Sequence, residues 1–144
     1  MSEQTATATE ECTGQQHEPV VHGTFCWNEL ASKDVETAKR FYSELLGWNL
    51  KEGNAGGMVY TEISAGNRSI GGMYQMTEEF GNAPSHWMSY VAVDDVDKLA
   101  ARVVELGGSV CVPPTDIPHV GRFSVINDPT GATISLITLK GGSQ

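Results

Sequence analysis

Hydrophobic positions along this chain change their period at regular intervals, from two to three-and-four and back to two. The segment GTFCWNELAS reads as a strand that the turn ASKD ends. Val35, Ala38, Phe41, Tyr42 and Leu45 then recur at helical steps and make one apolar face. Asp34 stands where its carboxylate can accept the free amide hydrogens of that helix's first turn. Gly47 follows, the residue that a left-handed helix C-terminus favours. Three strands are expected next, at residues 48–51, 57–64 and 68–76, separated by the breakers EGNAGG and AGN. After the polar link TEEFGNAPSH the order starts again. HWMSYVAVDD reads as a strand, 96–105 as an amphipathic helix stopped by Gly107 and Gly108, and 109–112, 122–127 and 133–139 as strands.

The restart is a repeat. A shift of 61 places Asp34, Val35, Glu44, Leu45 and Gly47 on Asp95, Val96, Glu105, Leu106 and Gly108. With small gaps Ile63 falls on Ile126 and Ile70 on Ile134. The identities gather at the helix ends, where caps and turns dictate residue type. The fold class expected is therefore α+β, two βαβββ modules in tandem forming paired curved mixed sheets. Module one covers 22–76, a linker 77–85 and module two 86–139, together one domain. Residues 1–21, rich in Thr, Glu and Gln, are expected to be a disordered tail, and 140–144 a second, short one. A single module carries its helix on one sheet face and leaves the other open. Pairing two curved sheets closes that gap around a cleft, where small ligands bind.

Charge narrows the partners. The net charge is −9, and the nine Lys and Arg form no basic stripe of the kind that displaces counterions from nucleic acid. No apolar run reaches the roughly 18 residues that span a bilayer. Residues 1–19 have neither a basic start nor an apolar stretch and do not read as a signal peptide. Cys12, Cys26 and Cys111 lack CxxC spacing and are odd in number, the pattern of reduced thiols. No nucleic acid, no membrane and a cytoplasmic location are the expectations. Cys111 alternates into a strand read as buried and is taken as inert.

Some of these segments carry a family likeness. FCWNELASKDVETAKRFYSELLGW, with Asp34, Ala38, Phe41, Tyr42, Leu46 and Gly47 in its helix, resembles the start of a vicinal oxygen chelate protein, the glyoxalase, bleomycin-resistance and extradiol-dioxygenase superfamily. YVAVDDVDKLAARVVELGG and FSVINDPTGATISL are similar to that family's second module and closing turn, and VPPTDIPHVGRFSVINDPTGA to its glyoxalase-like subgroup. The likeness covers about 22–139 and specifies the fold more than the reaction, because this scaffold hosts unrelated chemistries. It implies a divalent ion in the cleft, held by the first and last strands of each module, usually through His and Glu. Here those positions fall at Trp27, Met88, near Gly71 and at Ser135. Indole cannot ligate, glycine has no side chain, thioether is too soft and a lone hydroxyl is weak. No metal and no other cofactor are therefore expected. The likeness also implies self-association, so a homodimer stays open.

Period two sends the side chains of Trp27 and Glu29 to one sheet face, and by the repeat Tyr90 partners Glu29, with His86 two residues before Met88. Glu29, His86 and Tyr90 are thus expected to converge. Three readings stand for them: a polar network, a group that orients ligand, or catalysis with Glu29 and Tyr90. An improvised metal site with Glu29 and His86 as ligands belongs to the last. Trp27, Tyr60, Met88 and Phe123 make the expected pocket apolar and aromatic, suited to flat ligands, with Ser135 on its wall. His119 lies in a proline-restricted loop that reads as a lid or a solvated loop. Arg122 is expected to pair at the surface, with Asp128 or an anion. The function read from the chain is a small-molecule pocket protein binding a flat or apolar metabolite or antibiotic. A lyase, isomerase or dioxygenase with an atypical metal or Glu29 as base, and an interaction module with a vestigial pocket, are the alternatives.

Overall fold

The computed structural model describes residues 20–55 and 57–140. Nearly all of the expected N-terminal tail, Cys12 with it, and residues 141–144 lie outside these. Module one runs β1 (Phe25–Ser32), α1 (Val35–Leu46), β2 (Asn49–Ala55), β3 (Met58–Ala65) and β4 (Arg68–Gln75). Module two runs β5 (His86–Ala92), α2 (Val96–Glu105), β6 (Ser109–Ile117), β7 (Gly121–Asn127) and β8 (Thr133–Leu139). The architecture is the α+β one expected, with one difference: the two module sheets are joined in a single eight-stranded sheet, ordered β2-β3-β4-β1-β5-β8-β7-β6. The seam is the antiparallel pair β1–β5, which sets Trp27 opposite Tyr90 and Glu29 opposite Met88. Each module closes by a parallel pair, β1–β4 and β5–β8.

Sequence chemistry accounts for the elements. Asp34 Oδ1 accepts from the Thr37 amide at 3.1 Å, and Asp95 Oδ1 from the Lys98 amide at 3.2 Å, so each helix begins at its capping aspartate. Gly47 ends α1 at φ 73°. Both helices lie on one face of the sheet. Leu30, Ile63 and Met73 form the core there, with Val35, Ala38 and Tyr42 of α1 packed on it. Phe41 and Leu45 were expected on the same buried stripe but are 56% and 63% exposed. Three residues suffice to cover the core, and the rest of the stripe faces outward.

Other expectations shift. The strand expected at 109–112 runs on to Ile117, and Pro113 and Pro114 lie inside it, not in a loop. The β6–β7 pairing slips around them, between Val110 and Thr115, as prolines without an N–H require. Cys111 is exposed and not buried, because Val110 and Val112 flank it on the more buried positions.

Candidate functional site

The face opposite the helices carries the cleft. Alternation along β1 turns Leu30 to the helix core and Trp27 and Glu29 into the cleft, where a cavity of about 410 Å³ has both in its wall. Tyr60 of β3 and Tyr90 of β5 stand beside them, and Cys26 also lines the cavity. The rest is aliphatic: Ile117 and Val120 near the β6–β7 turn, Ile137 and Leu139 from β8.

A chain of hydrogen bonds crosses the polar side. The Trp27 indole N–H donates to the Tyr60 hydroxyl at 2.9 Å, and Tyr60 donates to Glu29 Oε2 at 2.8 Å. Tyr90 donates to Glu29 Oε1, also at 2.8 Å. Both carboxylate oxygens are thereby held by phenols, one from each module. Burial raises the Glu29 carboxyl above its ordinary 4.5, while the two tyrosine hydrogen bonds pull it down. Burial and the Glu29 charge also raise the hydroxyls of Tyr60 and Tyr90, and push Tyr74 up to about 12. Tyr74 lies two residues beyond Gly72 on β4 and stacks on Tyr60 with ring centroids 6.5 Å apart. Sequence reasoning passed over it, although period two from Gly72 points it into the cleft.

The sheet register corrects one position. Glu29 pairs with Gly72 and Tyr90 with Ser135, so the module-one equivalent of Ser135 is Gly72. Gly71 faces the helix side, where it lines another hollow with Ile63 and Trp48. A Cβ added at Gly72 would collide with the Tyr60 ring and hydroxyl. Tyr60 therefore fills the volume that a side chain at this position would take.

The expected pocket residues separate accordingly. Trp27, Glu29, Tyr60 and Tyr90 meet in the cavity wall. Phe123 packs behind Tyr90, ring centroids 6.5 Å apart. Ser135 is fully buried beside Tyr90 in the sheet, and its hydroxyl has no hydrogen-bond partner among the described residues. Met88 sits across the seam from Glu29 but is not part of the cavity wall. His86 is not part of the cavity wall: it stands at the start of β5, with its Nδ1 2.7 Å from the Pro84 carbonyl oxygen. Among the described residues no three His, Cys, Asp or Glu side chains come together. Indole, thioether, glycine and one hydroxyl at the four family positions form a donor set that does not fit a divalent ion. Arg122 pairs with Asp97 (2.9 and 3.0 Å) and with Asp116 (3.1 Å), not with Asp128. Asp128 instead accepts from Thr130 and Ala132 within its own turn. His119 sits in the turn between β6 and β7 at φ 68°.

Two modules paired along one seam, helices on one face and a cleft on the other, define a class of paired-module cleft proteins. The family model of the Glyoxalase/Bleomycin resistance protein/Dioxygenase superfamily matches residues 23–136, and the chain belongs to that superfamily. It is 40% identical over 116 residues to "Putative glyoxylase CFP32" of Mycobacterium tuberculosis, a match covering 80% of this chain and 44% of that protein. It is 33% identical over 129 residues to "Anthracycline biosynthesis protein DnrV" of Streptomyces peucetius, covering 79% and 46%. The chain thus spans about half the length of these curated relatives. Among solved structures, methylmalonyl-CoA epimerase from Mycobacterium tuberculosis superposes with a TM-score of 0.59 at 16% identity, over 85% of this chain and 91% of that one. That likeness is one of fold. No helix among the described residues is long and apolar enough to cross a membrane.

Proposed function

We propose that this chain binds a small, flat, largely apolar molecule in the cavity around Glu29, without the divalent metal of its family. One observation carries the reading. The four family ligand positions hold no fitting donor set, and Trp27, one of them, joins Tyr60 and Tyr90 around a half-buried carboxylate within a cavity of about 410 Å³. A volume of this order suits a compact organic ligand, and aromatic walls with a few fixed polar groups are what such sites use. The kinship with a protein named for anthracycline biosynthesis supports a ligand drawn from antibiotic chemistry, and that with a protein named a glyoxylase supports a small metabolite.

A second reading has its own observation. Burial raises the Glu29 carboxyl, the direction a general base working near neutral pH needs. Glu29 would accept a proton from bound substrate while Tyr60 and Tyr90 hold its oxygens in place.

A thermal-shift screen of flat apolar metabolites and antibiotics tests the first reading, run beside Leu139→Trp, which fills the cavity. Compounds that stabilise the wild type and not the filled variant support it. Absence of any stabilising compound across the screen counts against it. Any turnover detected for a hit must fall in Glu29→Gln for the base reading to stand.

A further inference from the structure

The cavity's polar wall is one-sided in its hydrogen bonding. The Trp27 N–H is given to Tyr60, and the Tyr60 and Tyr90 hydroxyl protons are both given to Glu29. Among the described residues the only other polar side chain in the wall is that of Cys26, a weak donor whose pKa burial raises. Acceptors remain in excess: a carboxylate has about four lone-pair sites, of which the tyrosines use two, and the Tyr90 oxygen accepts nothing from the described residues. A ligand reaching this wall must therefore bring the donor.

The wall is also one-sided in charge. Glu29 is half-buried and makes no ion pair with any described residue. All nine Lys and Arg lie within the described residues, and none of them pairs with it. Lys39, Arg102 and Arg122 pair with other carboxylates. Lys51 lines a separate hollow of about 250 Å³ beyond the Trp27–Tyr60 pair. An isolated buried carboxylate is costly unless a counter-charge arrives. The faces of Trp27, Tyr60 and Tyr90 are the surfaces that attract a cation to a desolvated site, and a net charge of −9 draws cations toward the protein.

Resting on the pocket reading above, we infer that the ligand is an apolar ring system carrying a protonated amine, with the ammonium at Glu29 and the ring against Ile117, Ile137 and Leu139. The site selects amines over neutral alcohols of the same shape and rejects carboxylates.

Calorimetric titration with naphthylmethylamine, naphthylmethanol, methylnaphthalene and naphthoate tests this on wild type and on Glu29→Gln, whose folding is checked by thermal melting. The amine should bind wild type at least tenfold tighter than the alcohol, and naphthoate should not bind. In Glu29→Gln the amine's advantage over the alcohol should fall to about twofold or less. A wild-type series from neutral pH down into the ordinary carboxylate range reads the same charge without substitution, and the amine's advantage should shrink as Glu29 takes up its proton. The tyrosines and Cys26 around Glu29 stay neutral throughout, their values being raised from 10.0 and 9.0. An alcohol that binds as tightly as the amine, or an amine advantage that survives both Glu29→Gln and acidification, overturns the inference and leaves the pocket standing. Failure of all four probes overturns both.

Discussion

Asp34 and Asp95 begin the helices of the two modules with the same bond, carboxylate to the amide three residues on, at 3.1 and 3.2 Å. Equivalent positions in the cleft share nothing of the kind. Glu29 corresponds to Tyr90, Trp27 to Met88 and Gly72 to Ser135. Identity has been kept where backbone geometry leaves few options and dropped where side chains line the cleft. The difference divides the labour: module one supplies the carboxylate and the Trp27–Tyr60 support, while module two supplies Tyr90 and most of the aliphatic wall. A cleft with two matching halves would place like groups across the seam. This one places a buried acceptor on one side only.

The largest effect expected from unbalancing the halves is at Tyr60. Tyr60→Phe removes a donor to a buried carboxylate and strands the Trp27 N–H, a loss of about 3 kcal/mol in chemical denaturation. Tyr90→Phe removes one donor and should cost about 2 kcal/mol. Equal losses would show that Trp27 finds another partner. Gly72→Ala drives a methyl into Tyr60 and should cost about 1–3 kcal/mol, whereas Ser135→Ala at the equivalent position should be neutral or raise stability by up to about 1 kcal/mol. A destabilised Ser135→Ala would mean that its hydroxyl has a partner after all. Asp34→Ala and Asp95→Ala should each cost about 1 kcal/mol and match closely, since the caps are alike.

Glu29 also leaves a mark on pH dependence. Its folded carboxyl lies above 4.5, so between that value and the raised one the folded state holds more of this proton than the unfolded chain does. The Glu29 contribution to stability therefore falls as pH rises through that window. Glu29→Gln should gain on wild type over the same interval in urea melts at successive pH values. A constant difference would mean that burial does not dominate at Glu29.

Module order, both helices and the caps were legible in the sequence, because period changes and Asp and Gly at helix ends are local signals. The convergence of Trp27, Glu29 and Tyr90 followed from period two and the repeat, while Tyr60 was legible only as part of an aromatic lining. What escaped depended on register across strands. Gly71 and Gly72 are adjacent, and only the pairing with Glu29 tells which faces the cleft. His86 shares a sheet face with Met88, but its bond to Pro84 is set by the preceding turn. Prolines 113 and 114 read as loop because a bulged strand that tolerates them leaves no local trace. Arg122 meets Asp97 of α2 across a sequence gap that no periodicity spans.

The claim that organises all of this is a cleft built on Glu29 and three aromatic partners in place of a metal. Elemental analysis of untagged protein, with thermal melts on added nickel, zinc, manganese and iron, tests it most directly. A native-state ligand at a hundredfold over its Kd stabilises by about 2.7 kcal/mol, well within reach of such melts. The account predicts metal far below one equivalent and no rise in Tm with any of the four ions. One equivalent of bound metal, lost in Glu29→Ala, would contradict it.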